Sequence, residues 1–132
     1  MRKTSATFAL VAVLLAASWG HGIGEEHHIK APLNAHGESG VGGFVQLTQL
    51  PHGGAHITVV ATGLKPGETY TSFYYESADC SEPADELASF VADADGDGQA
   101  QGKIDDDLDE VGSVSVRLGP GYGPLEACAQ VH

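Results

Sequence analysis

Three aspartates at alternating positions have the side-chain type and spacing that bind a metal ion. They are Asp93, Asp95 and Asp97. Alternate carboxylates ahead of a glycine, here Gly98, match the first half of a calcium-binding loop. The twelfth position of such a loop should be a bidentate Glu but is Ile104, so calcium would need oxygens from the aspartates at 105–107 in a different geometry. We therefore favour a solvated Asp-Gly turn and keep a calcium site as the alternative.

Histidines near the N-terminus form a second candidate metal site. They are His21, His27, His28 and His36. Imidazole nitrogens bind copper and zinc, so this segment predicts weak metal binding. A terminus created by cleavage after Ser18 would read Trp19-Gly20-His21, and its amine, two amides and imidazole would bind Cu(II) in square-planar geometry. The alternative, which we favour, is that these histidines are ordinary solvated residues.

The first 20 residues have the order of a secretory signal peptide. Two basic residues at positions 2 and 3 precede a nearly uninterrupted apolar stretch at 6–17, and small residues follow it. The stretch is shorter than the roughly 20 apolar residues that cross a bilayer. We expect a Sec-type leader, cleaved after Ser18 or Gly20, and a secreted or periplasmic protein. A membrane anchor or a buried N-terminal helix is the alternative.

The chain is strongly acidic. It has 6 basic and 18 acidic residues and a formal net charge of -12, and loss of Arg2 and Lys3 with the leader would make it more acidic still. Such a surface repels nucleic acid and anionic membranes. We therefore expect no nucleic-acid partner and no membrane span in the mature chain, and we leave open a protein or cell-surface partner of unknown identity.

The two cysteines of the chain are Cys80 and Cys128. In an oxidising compartment such a pair predicts a disulfide bond, which would stabilise the domain by about 4 kcal/mol in the chain-entropy model. Free thiols or metal ligands are the alternative.

Short segments that alternate between apolar and polar residues fill the chain after the leader. Turn residues separate them at intervals of about 8–12 residues, which is typical of a β-sandwich or barrel with seven or eight strands. Asp95-Gly96-Asp97-Gly98 is interpreted as a hairpin turn. The predicted strands are residues 28–33, 44–48, 56–62, 69–76, 88–94, 99–104, 113–118 and 127–131.

The order of these segments resembles that of the Cu/Zn superoxide dismutases. Residues 28–30 and 39–49 are similar to the family's first two strands, and 57–67 to its third strand and following turn. Residues 92–96 resemble the hairpin after the metal loop, and Glu126-Ala127-Cys128-Ala129 resembles the C-terminal Ala-Cys-Gly strand. The resemblance implies an all-β, immunoglobulin-like Greek-key sandwich or flattened barrel of antiparallel strands, and it places Cys80 at the family's loop cysteine.

The metal ligands that the resemblance implies are missing from this sequence. Phe73 and Tyr75 stand where the family has a His-x-His pair, and Arg117 stands at or beside a later copper histidine. The loop at 81–89, which corresponds to the zinc loop, contains no histidine. A phenyl group has no donor atom and a guanidinium stays protonated. We therefore expect no dismutase site, no catalytic residues and no bound cofactor beyond the weak candidates above.

Three parts are expected along the chain: a leader at 1–20, a polar His- and Gly-rich segment with the first short strand at 21–39, and the sandwich at 40–132. The leading hypothesis for function is an exported, non-enzymatic module with a binding or structural role. The alternatives are a copper-dependent superoxide defence protein with a relocated metal site and a calcium-stabilised adhesive domain.

Overall fold

The computed structural model describes residues 27–132, so the predicted leader and His21 lie outside the described residues. The described part forms nine strands and a short 3₁₀ helix. In chain order they are β1 (His28–Pro32), β2 (Asn34–Ala35), β3 (Gly42–Gln49), β4 (Ala55–Thr62), β5 (Thr69–Tyr75), β6 (Ala84–Val91), β7 (Gly98–Ile104), the 3₁₀ helix (Leu108–Glu110), β8 (Ser113–Leu118) and β9 (Leu125–Gln130).

The strands form two antiparallel sheets. One sheet has four strands in the order β1-β3-β4-β7, and the other has five in the order β2-β9-β8-β5-β6. Every strand pair described is antiparallel. The predicted all-β sandwich is therefore confirmed. The strands β1 and β2 belong to different sheets, so the start of the described chain is part of both layers.

Alternation of side chains along each strand builds the core between the sheets. In β4 every second residue from Ala55 to Ala61 is fully buried, whereas the residues between them are half-buried on the outer side. The inward residues of β3 and β8 are equally buried and are Val45, Leu47, Val114 and Val116. Because the side-chain period of a strand is two, the same sequence that fills the core also fixes which residues face outward.

The predicted hairpin at Asp95-Gly96-Asp97-Gly98 is wrong. The strands β6 and β7 on either side of it do not pair with each other, since β6 pairs with β5 and β7 pairs with β4. The turn is tight, with Gly96 at a φ of 81° and Asp93 N–H donating to Asp97 O at 2.9 Å. It therefore reverses the chain while carrying it from the five-stranded sheet to the four-stranded one.

Candidate functional site

The outer face of the five-stranded sheet holds the positions that the resemblance assigns to copper. Phe73 and Tyr75 point outward from β5, and Arg117 points outward from β8 on the same face, where it pairs with Thr71. Phe73 and Tyr75 are 6% and 1% exposed, although they lie outside the main core, because loops cover this face. A second, smaller apolar cluster thus forms there around Phe73, Tyr75 and Cys80.

Arg117 is bound in place by neutral groups. Its Nε donates to Tyr75 Oη at 3.0 Å and its Nη1 donates to Gly123 O at 2.9 Å. Its guanidinium carbon lies 3.8 Å from the centre of the Tyr122 ring, which is the geometry of a cation–π contact. We call Tyr75, Arg117 and Tyr122 the tyrosine–arginine cluster. The Tyr75 hydroxyl also lies 2.7 Å from Ser115 Oγ, so it has a hydrogen-bond partner on each of two β8 residues.

The disulfide bond closes the loop over this face. Cys80 and Cys128 are bonded, 48 positions apart in sequence, with their Cα atoms 6.1 Å apart. The Cys80 N–H donates to Ser113 Oγ at 2.9 Å, and the Cys80 carbonyl accepts from Arg117 Nη2 at 3.4 Å. The predicted bridge is therefore present, and it ties the loop after β5 to the last strand.

The tyrosine–arginine cluster has no free nitrogen donor for a metal ion. None of the five strands of this sheet contains a histidine. Burial, together with the neighbouring Tyr75 hydroxyl, raises the pKa of Tyr122 to about 12, so its phenol stays protonated well into alkaline pH. Copper in a redox site is held by several imidazole or thiolate ligands. The residues at this face pack against one another and do not provide them.

The structure brings the carboxylates of Asp93, Asp95 and Asp97 together. One oxygen from each lies within 4.8 Å of the others, and all three side chains are exposed. However, Asp93 Oδ1 already accepts the backbone N–H groups of Asp95 and Asp97, both at 2.9 Å. This carboxylate therefore stabilises the turn itself.

Further carboxylates do not complete this loop. Ile104, at the twelfth position, is buried in the core at the end of β7. The aspartates at 105–107, which the calcium alternative would use, are separated from the turn by the seven residues of β7, roughly 20 Å of strand.

The described histidines of the N-terminal segment lie at one end of the sandwich, except for His36, which is exposed beyond β2. His27 and His28 line a groove of about 510 Å³ together with Gln49, Asp109 and His132. His132 was not among the residues predicted from the sequence, because nothing local marks it as close to the first strand.

The outer face of the four-stranded sheet is the second broad surface of the molecule. Its outward residues form three rows across β1, β3, β4 and β7, and we call this surface the four-stranded face. The rows are His28, Thr48, His56 and Lys103; Lys30, Gln46, Thr58 and Gln101; and Pro32, Phe44, Val60 and Gln99. The face is polar and weakly basic, with one apolar row.

The four-stranded face carries no carboxylate. None of its four strands contains Asp or Glu, although the chain has 18 acidic residues. The Lys30 ammonium lies 4.4 Å from the centre of the Phe44 ring, so a basic group also covers part of the apolar row. The lack of Asp and Glu in these segments is visible in the sequence. That the segments share one face becomes apparent only when the four strands are known to form one sheet.

Comparison with models of protein families found no match for this chain, and comparison with curated proteins found none either. The resemblance to the Cu/Zn superoxide dismutases therefore rests on the residues quoted above. Among residues 27–132 there is no helix long and apolar enough to cross a membrane.

Proposed function

We propose that this chain is an exported, non-enzymatic β-sandwich module that binds an acidic partner protein through the four-stranded face. We further propose that it is a divergent relative of the Cu/Zn superoxide dismutases that has lost their chemistry. The observation that carries the binding role is the absence of carboxylates from one broad face of a strongly acidic chain.

Charge directs a partner to this face. Loops rich in Asp and Glu surround the ends of the sandwich, for example at 93–97 and 105–110, and they repel an acidic protein. Lys30 and Lys103, in contrast, stand on the two edge strands of the four-stranded face. Complementary charge of this kind orients an encounter and selects a partner more than it adds affinity. The apolar row of Pro32, Phe44 and Val60 supplies the area that favours burial.

The filled tyrosine–arginine cluster supports a role without redox catalysis. Each position where the resemblance implies a copper ligand holds a side chain that is already packed or hydrogen-bonded. Loops cover the outer face of the five-stranded sheet, which leaves the four-stranded face to contact a partner. Because a rigid sheet loses little conformational freedom on binding, it is well suited to this role.

Site-specific photo-crosslinking in the cells that make the protein tests the binding role. A photoreactive residue at Thr58 or Gln101, on the four-stranded face, should give a defined higher-mass adduct. The same residue at Glu86 or Gln130, at exposed positions of the five-stranded sheet, should not. The double variant Lys30→Glu and Lys103→Glu should remove the adduct, whereas Lys65→Glu, in an exposed loop, should keep it. An adduct of equal yield from both sheets, or none from the four-stranded face, would contradict the proposal.

A superoxide assay tests the non-enzymatic part separately. The chain carrying His21→Ala, His27→Ala and His28→Ala loses N-terminal imidazoles without shortening β1. After loading with Cu(II) and Zn(II) and dialysis, we expect no superoxide consumption above that of buffer. Stoichiometric copper with activity in this variant would show that the sandwich holds a redox site.

A further inference from the structure

We infer that the groove at the end of the sandwich binds Zn²⁺, with the imidazoles of His27 and His132 and the carboxylate of Asp109 as its protein ligands. This site is independent of the partner-binding role proposed for the four-stranded face. The residues come from the start, the end and the 3₁₀ helix of the described chain, and the fold gathers them along one groove.

His132 is held in the orientation of a metal ligand. Its Nε2 lies 3.1 Å from the carbonyl oxygen of Leu108. A carbonyl only accepts hydrogen bonds, so Nε2 of the neutral ring carries the proton and Nδ1 keeps its lone pair. A histidine that binds a metal through one nitrogen commonly donates from the other to a backbone carbonyl in this way. The free donor atom of His132 is therefore Nδ1.

The support beneath His132 is rigid. Gln49 on β3 accepts the Leu108 N–H at its Oε1, at 2.8 Å, and donates from its Nε2 to Asp107 Oδ1 at 3.1 Å. Asp107 Oδ1 also accepts the Gly54 N–H at 2.8 Å. Asp107 thus fixes the loop, and the exposed Asp109 supplies the carboxylate ligand.

The neighbouring residues His27 and His28 have different surroundings. His28, the first residue of β1, faces outward, where its ring nitrogens lie 3.1 Å from Thr48 Oγ1 and 3.5 Å from Gln46 Nε2. His27 lies just before β1 and lines the groove with Ile29, and its backbone carbonyl accepts the Gln49 N–H at 2.9 Å. His28 also borders the groove, but its ring nitrogens lie close to Thr48 and Gln46, so His27 is the imidazole available to an ion.

Two imidazoles, one carboxylate and a water molecule make a tetrahedral set that suits Zn²⁺ better than the oxygen-seeking ions Ca²⁺ and Mg²⁺. Among the described residues, only Asp93, Asp95 and Asp97 bring three ligand residues within 4.8 Å of one another. His132 keeps its hydrogen bond to the Leu108 carbonyl, so the side chains of His27 and Asp109 must close on the ion by rotation. Both are exposed, so their rotation meets little obstruction.

Calorimetric titration of the metal-free purified chain with zinc chloride tests this site. We expect about one ion per chain, and affinity at least about tenfold weaker after His27→Ala, His132→Ala or Asp109→Asn. The matched control is His36→Ala, which removes an exposed histidine outside the groove and should change the affinity less than about twofold. His21→Ala should be equally neutral.

The melting temperature gives an independent readout. Zinc at a large excess over its dissociation constant should raise it in the unsubstituted chain and in His36→Ala, but not in His132→Ala. No binding up to about 1 mM zinc would overturn the inference. So would a site that survives His132→Ala, or one that is lost with His21→Ala alone.

Discussion

The hydroxyl group of Tyr75 joins two strands through the residues that surround it. Its oxygen accepts from Arg117 Nε and lies 2.7 Å from Ser115 Oγ, and both of these residues are on β8. Arg117 then reaches the carbonyl of Gly123 in the turn that precedes β9. The side chain at a position where the resemblance implies a copper ligand is thus part of a structural hydrogen-bond network.

The variant Tyr75→Phe should lower the free energy of unfolding by about 2 kcal/mol, because it leaves a charged donor and a buried hydroxyl without their shared partner. Urea unfolding measures this change. Tyr74→Phe is the matched control, since Tyr74 directly precedes Tyr75 in the same strand but packs against the main core on the inner side. We expect its effect to stay within about 0.5 kcal/mol. Equal effects of the two substitutions would show that the Tyr75 hydroxyl has no special structural role.

At the scale of elements, the close approach of β3 and β4 depends on a glycine. Gly43 pairs with Ala61 and has a φ of 120°, a value that L residues rarely adopt. A Cβ atom added there would overlap the carbonyl oxygen of Val60. Its neighbour Gly42 has ordinary space, with Thr62 Oγ1 as the nearest atom at 3.8 Å.

Gly43→Ala should therefore lower the free energy of unfolding by at least about 3 kcal/mol, from overlap with the β4 backbone and from the strained φ. Gly42→Ala should change it by less than about 1 kcal/mol. Chemical denaturation of the two variants checks this difference. If Gly43→Ala is tolerated as well as Gly42→Ala, the pairing of β3 with β4 in this register is wrong.

Strand positions could be predicted from sequence, but most strand partners could not. The alternation in β4 identifies a half-buried strand because burial acts on every second residue. The Asp-Gly turn before β7 also has local signals, yet the same turn serves a hairpin or a crossing between sheets. The outcome is decided by the pairing of β6 with β5 and of β7 with β4, and the second of these pairs joins strands distant in sequence.

The same limit applies to the candidate sites. Phe73, Tyr75 and Arg117 could be singled out from the sequence, as the residues at the positions where the resemblance implies copper ligands. Tyr122 could not, since an aromatic residue in a Gly- and Pro-rich turn gives no sign that it will stack on Arg117. The groove proposed to bind zinc could not be predicted from the sequence either, because His27 and His132 line one groove only in the folded chain.

The charge of the whole molecule is unevenly distributed. The four strands of one sheet lack carboxylates, while acidic residues concentrate in the connecting loops. With a formal net charge of -12, these loops repel one another in the compact state. Raising the NaCl concentration from about 0.01 M to about 0.1 M shortens the screening length from about 30 to about 10 Å. The free energy of unfolding should therefore increase with the NaCl concentration, through screening alone and without binding of a specific ion.

Screening by salt must be separated from calcium binding at Asp93, Asp95 and Asp97. In about 0.1 M NaCl, we expect 2 mM CaCl₂ and 2 mM MgCl₂ to give melting temperatures within about 1 °C of each other. The reason is that Ca²⁺ takes six to eight oxygens, whereas the turn offers three exposed carboxylates. One of these already accepts two backbone N–H groups.

A calcium site filled at a hundredfold excess over its dissociation constant would instead add about 2.7 kcal/mol of stability. Thermal unfolding measures the difference, with Asp95→Ala as the control. A calcium-specific rise of several degrees that this variant abolishes would establish a calcium site in the loop between the two sheets.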